Sequence, residues 1–205
     1  MLCSPHNPCG TIIQREALLR LFDQLGGDPP LVILDEAYRD FVDDPEAVDG
    51  LALLPAHPTL IVLRTFSKIA GLAGLRLGYA VARPSVIEKL NRVRAPYNVN
   101  RLAQVAALAA LEDREHWERT RQVIRQERVF LRSELGRRGY PVVPSQANFV
   151  LVAAREAGAL RDHLLKSGIL VRDGHAVGFP GHLRITVASR QVNQRLLDLL
   201  DRFRG

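Results

Sequence analysis

Three short apolar runs, Leu31–Leu34, Leu60–Leu63 and Leu77–Ala82, limit the architecture this chain can adopt. Each is bounded by polar residues and is apolar almost throughout rather than alternating. Such runs suit parallel strands covered on both faces. Helical patterns flank them. Gln14–Leu25 has helical spacing and stops at Gly26-Gly27. Ser85-Val-Ile-Glu88 has the capping-box pattern and predicts a helix to about Arg94. Asn100 is positioned to cap an Ala- and Leu-rich helix to about Leu111. The first half therefore reads as α/β, with strand ends directed to one edge. In such sheets ligands bind beyond the carboxyl ends of the strands.

The second half reads differently. An amphipathic helix is expected over about Arg114–Arg138, ended by Gly139. Strand-like "ANFVLVA" (147–153), a helix over about Glu156–Lys166, strand-like "ILVR" (169–172) and "LRITV" (183–187), and a last helix from about Gln191 follow. This is the pattern of a small α+β domain. The expected division lies near residue 113, giving domains 1–112 and 113–205, with no internal repeat.

Charge and cysteine usage narrow the function. The net charge is +6, yet the arginines are scattered, and many alternate with glutamates along the predicted long helix. That is the pattern of a solvated helix face, so no nucleic-acid partner is expected, while anionic small ligands fit the charge. No stretch reaches the ~20 apolar residues of a membrane span, and the start lacks the pattern of a signal peptide. Cys3 and Cys9 read as free thiols of a reducing cytoplasm, and no metal site is expected.

The residues that carry chemistry sit where the strands end. Asp35 follows the first run in "LDEAY", and Lys68 follows the second in "RTFSK". Either alone reads as a solvated charge. Asp, Tyr, Ser and Lys delivered to one sheet edge make a more demanding combination. A pyridoxal phosphate site uses all four types: a lysine to hold the aldehyde and a carboxylate for the pyridine nitrogen. A phenol and an amide serve the ring oxygen. Hydroxyls and an arginine serve the phosphate. Asn7, in an Asn-Pro-x-Gly turn, can supply the amide.

"HNPCG", "LDEAY", "TFSKIAGLAGLRLGY", "RAPYNVN", "SQANFVLV", "ILVRD" and "LRITVAS" follow one another at suitable separations. Together they resemble the fold-type I pyridoxal-phosphate aminotransferases, and among these the histidinol-phosphate aminotransferases, over nearly the whole chain. The resemblance implies part of a three-layer parallel-sheet cofactor-binding domain followed by a small α+β carboxy-terminal domain. It implies Lys68 as the Schiff-base lysine and Asp35 as the partner of the pyridine nitrogen. Tyr38 and Asn7 would then be donors to the ring oxygen, and Ser67, Arg76 and Thr65 ligands of the cofactor phosphate. Arg184 resembles the arginine that grips the substrate α-carboxylate, and Arg172 the one that meets a substrate phosphate. Gly71 and Gly74 are expected to turn the backbone so that Arg76 reaches the phosphate. The implied reaction is a cytoplasmic transamination in histidine biosynthesis, with Lys68 carrying the Cα proton of an amino donor and a 2-oxo acid, 2-oxoglutarate, as acceptor. The family implies a homodimer.

The sequence also departs from the family. The resemblance implies a substantial segment before the Asn-Pro-x-Gly turn, which here begins near residue 7. The expectation is a chain shortened at its amino terminus, inactive alone or completed by a complementing amino-terminal chain. "SPHNPCG" differs from the more usual Asn-Asn-Pro-Thr-Gly. His6 is similar to the pyridoxal-phosphate carbon–sulfur lyases, so a lyase or another amino acid aminotransferase stands as the rival within the enzyme class.

Overall fold

The computed structural model describes residues 1–27 and 29–203. It divides into two compact units, Met1–Pro5 with Ile12–Thr120 and His6–Thr11 with Arg121 onward. In the first unit the apolar runs form one sheet in the order β1 (Leu2–Cys3), β2 (Val32–Asp35), β3 (Leu60–Thr65) and β4 (Gly78–Val81). β1, β2 and β3 are parallel, with Asp35 opposite both Cys3 and Leu63. β4 runs antiparallel to β3, Thr65 opposite Gly78, which corrects the expectation of a third parallel strand. The cause is the connection. A parallel crossover needs a helix-sized excursion, and residues 66–77 contain only the 3₁₀ turn Ala73–Leu75.

Helices α1 (Arg15–Gln24) and α2 (Gly50–Leu53) cover one face of this sheet. Leu18 and Phe22 of α1 and Leu53 of α2 pack on Val32, Leu34, Leu60 and Val62. Each such fully buried side chain contributes about 1.5–3 kcal/mol. Helix α3 (Pro84–Val93) does not use the capping box. Pro84 takes the first helical position with Arg83 as N-cap, which draws Ser85 into the first turn. Helix α4 (Arg101–Glu112) is capped by Asn100, whose Oδ1 accepts from the Ala103 amide at 2.8 Å. Its Ala107 packs with Phe66 and Ala70, while Leu102, Val105, Leu108 and Leu111 are exposed.

The division between the units falls inside helix α5 (Arg114–Arg137). The second unit adds β5 (Val142–Val143), β6 (Phe149–Ala153), α6 (Ala157–Lys166), β7 (Arg172–Asp173), β8 (His182–Thr186) and α7 (Arg190–Arg202). The strands form an antiparallel sheet in the order β5-β6-β8-β7. Val150, Val152, Leu183 and Ile185 face a core with Leu131 and Leu135 of α5, Leu164 of α6 and Leu197 of α7. The two-residue period of a strand puts Leu151 and Arg184, which pair across β6 and β8, on the other face. Of the expected strand 169–172, Arg172 alone lies in β7, and Val171 is buried in the core. Gly139 and Gly168 end α5 and α6 in left-handed backbone. Among the described residues no helix is long and apolar enough to cross a membrane.

Candidate active site

The carboxyl ends of β2 and β3 open onto a hollow of about 290 Å³ in the first unit. Asp35, Thr65, Ser67, Lys68 and Arg76 line it, so five of the expected site residues meet there. Asp35 leaves β2 with one oxygen, Oδ1, fixed by the Ala37 amide at 3.0 Å. Lys68 lies three residues past the end of β3, its Nζ 5.1 Å from the centre of the Tyr38 ring. Tyr38 is itself buried. Thr65 Oγ1 accepts from the Ser67 amide at 3.0 Å and donates to the Leu77 carbonyl at 3.2 Å, which fixes the start of the loop. Behind Lys68, the Ile69 carbonyl lies 3.2 Å from His116 Nε2 in the first turn of α5.

Arg76 donates to the Ala73 carbonyl at 2.8 Å and reaches Ser67 Oγ at 3.5 Å. Gly71 takes the left-handed backbone expected of it, with φ +71°. Gly74 does not, and open space surrounds the position of a Cβ there. The second left-handed residue of the loop is Arg76 itself, at φ 57°.

Beneath the hollow is a charge network that sequence reasoning missed. Glu36 is only 1% exposed, although it directly follows Asp35. Its Oε2 accepts from Arg64 Nε and Nη2 at 2.9 and 2.8 Å, and its Oε1 accepts from the Gly50 amide at 2.6 Å. Arg64 also donates to Asp49 at 3.0 Å. Burial pushes the Glu36 carboxyl up, against the pull of Gly50 and Arg64 in the other direction. A Cβ on Gly50 would collide with Val62 and Leu34, so α2 approaches the sheet only as glycine. The network ties the ends of β2 and β3, which carry Asp35 and the Lys68 loop. The available signal was a charged residue, Arg64, ending an apolar run with an acid at the end of its neighbour.

The remaining expected residues meet in the second unit. Asn7, Arg172 and Arg184 line a pocket of about 150 Å³. Arg184 Nη1 donates to Asn7 Oδ1 at 3.1 Å, and its guanidinium stacks 4.8 Å from the centre of the Phe149 ring. Arg184 Nε is buried and has no hydrogen-bond partner among the described residues. Arg172 and Arg184 stand directly opposite each other on β7 and β8. Like charges so paired repel, and an anion between them relieves the repulsion. Gly10 positions the turn that holds Asn7. Its φ is +79°, a Cβ there would fall on the Ser145 side chain, and its carbonyl accepts from the Gln146 amide at 2.8 Å. In the same turn His6 Nδ1 lies 2.9 Å from Cys9 Sγ.

Residues 1–200 match the family described as Aminotransferase class I and II. The chain belongs to that family. It is similar to the histidinol-phosphate aminotransferase of Anaeromyxobacter sp. (strain Fw109-5), at 47% identity over 206 residues, covering 100% of this chain and 56% of the relative. The histidinol-phosphate aminotransferase of Symbiobacterium thermophilum is 45% identical over 202 residues, covering 97% and 55%. Among solved structures, the histidinol-phosphate aminotransferase of Sinorhizobium meliloti in complex with pyridoxal-5'-phosphate superposes with a TM-score of 0.87 at 28% identity, covering 98% of this chain and 57% of that one. The chain thus spans about half the length of the curated relatives it matches.

Proposed function

We propose that this chain carries cofactor- and substrate-binding residues of a pyridoxal 5'-phosphate-dependent aminotransferase of histidine biosynthesis. Histidinol phosphate is the amino donor and 2-oxoglutarate the acceptor. Residues 1–112 are part of the cofactor-binding domain and 113–205 the small domain. The observation that carries the reading is the hollow of the first unit, where an amine, a carboxylate, a guanidinium and two hydroxyls converge. That donor set suits the cofactor. Lys68 would hold its aldehyde carbon, Asp35 its ring nitrogen, Tyr38 its ring oxygen, and Ser67, Thr65 and Arg76 its phosphate. Bound there, pyridoxal phosphate supplies an electron sink for the carbanion left when the substrate Cα loses its proton. Lys68 Nζ, free once the substrate amine has replaced it on the aldehyde carbon, would take that proton from the substrate Cα.

The two arginines set the substrate. Arg184 would meet the α-carboxylate of the acceptor and, with Arg172 beside it, the phosphate of the donor, which has no carboxylate. An unpartnered Nε on Arg184 and the opposed pair across β7 and β8 support a ligand with negative charge. Calorimetric titration with histidinol phosphate and with histidinol tests this. The phosphate ester is expected to bind more tightly, and Arg172→Ala to erase the difference. Equal affinity of the unaltered chain for both compounds would remove the reason for naming a phosphorylated substrate.

A second reading is that activity requires a further chain, either a second copy in a homodimer or a complementing amino-terminal chain. The exposed apolar residues of α4, Leu102, Val105, Leu108 and Leu111, favour it. Native mass spectrometry beside a transamination assay decides between them, since a fully active monomer contradicts the requirement for any partner.

A further inference from the structure

Arg76 is the one lining residue of the first hollow held in left-handed backbone, a conformation that side-chain-bearing residues rarely adopt. Such a conformation persists only where the surroundings over-determine it. Here the carbonyls on both sides of Arg76 are held. The Leu77 carbonyl accepts from the Phe66 amide at 3.1 Å and from Thr65 Oγ1 at 3.2 Å. The Leu75 carbonyl accepts from Asn100 Nδ2 at 3.3 Å. Asn100 is 25 residues beyond Leu75 along the chain and was expected only to cap α4, which its Oδ1 does.

We propose that Asn100 is a positioning residue for Arg76, using both ends of one amide. Its oxygen anchors the side chain to the start of α4, and its nitrogen holds the Leu75 carbonyl and so the turn that directs the Arg76 guanidinium beside Ser67 Oγ. A residue needed only as a cap would require the oxygen alone. Aspartate and serine are equally good caps, but neither offers an N–H to Leu75. The side-chain type at position 100 thereby sets the grip on an anionic group in the hollow without touching it. This inference rests on the reading of that hollow as a cofactor phosphate site.

Asn100→Asp and Asn100→Ser separate the two roles, because each keeps a capping oxygen and removes the donor. Absorbance titrations with pyridoxal 5'-phosphate and with pyridoxal, which lacks the phosphate, are compared with thermal midpoints of the same proteins. Both variants are expected to bind pyridoxal phosphate about fivefold more weakly, the weight of one hydrogen bond, with pyridoxal binding and the thermal midpoint unchanged. In an Arg76→Ala background the same substitutions are expected to do nothing further. Equal weakening for both ligands, an effect that survives Arg76→Ala, or a loss that follows a falling midpoint would each overturn the proposal. The unaltered chain reports separately on the underlying reading. If it binds pyridoxal phosphate no better than pyridoxal, the hollow is not a phosphate site and the inference fails with it.

Discussion

Replacing Glu36 by alanine puts the network beneath the hollow to its strongest test. The substitution removes a carboxylate that accepts three hydrogen bonds, two from Arg64 and one from Gly50. Breaking a buried ion pair from one side costs about 3–5 kcal/mol, because the other charge is left unpaired. Two features of this site bear on the size. Arg64 keeps its second partner, Asp49, at 3.0 Å, which lowers the loss. The Gly50 amide and the vacated volume raise it, by about 1–3 kcal/mol for the buried donor. A net loss of about 4 kcal/mol is expected. Hydrogen–deuterium exchange at the β2 and β3 amides reads it directly, as a roughly thousandfold fall in protection if these strands open with their unit. Glu36→Gln, which keeps an acceptor for Gly50, is expected to lose about half as much. Glu36→Met with Arg64→Met is expected to recover the part of the loss owed to the unpaired charge, while the Gly50 amide stays without its acceptor. If protection falls by about tenfold or less in Glu36→Ala, or if the double variant is no better than the single, the network does not hold the two strand ends together.

Two further expectations concern the second unit. Gly10→Ala forces a side chain into left-handed backbone against Ser145 and is expected to cost about 2 kcal/mol in urea unfolding; an unchanged midpoint would show that the turn carrying Asn7 adapts freely. Hydrogen bonds from Arg138 hold the Asp201 and Glu134 carboxyls below their ordinary values of 3.8 and 4.5. Carboxyls with lowered folded values contribute stability above the ordinary values and lose it as the pH falls through the folded ones. Stability should therefore decline below about pH 4, and Arg138→Met should flatten that decline. An acid limb of the same slope in the variant would refute the assignment.

Much of this site was legible because it depends on local pattern. Asp35 and Lys68 follow apolar runs, and runs of that kind become strands whose ends meet at one edge. Asn100 was legible as a cap for the same reason. What escaped depends on register or on the path of a connection. Glu36 and Arg64 are 28 positions apart, and only the pairing of Asp35 with Leu63 brings them together. The direction of β4 was hidden because an apolar run has no polarity, and only the short 66–77 connection decides it. The capping box at Ser85 was a local signal overruled by an adjacent one, Pro84. β1 and β5 have two residues each, too few to show any period.

The chain has three lysines: Lys68, Lys89 on α3 and Lys166 at the end of α6. Borohydride reduction after incubation with pyridoxal 5'-phosphate, followed by peptide mapping, shows which of the three amines holds the aldehyde. One modified peptide, containing Lys68, is expected, and its loss in Lys68→Ala. Modification spread over all three lysines, or centred on Lys89 or Lys166, would contradict that assignment.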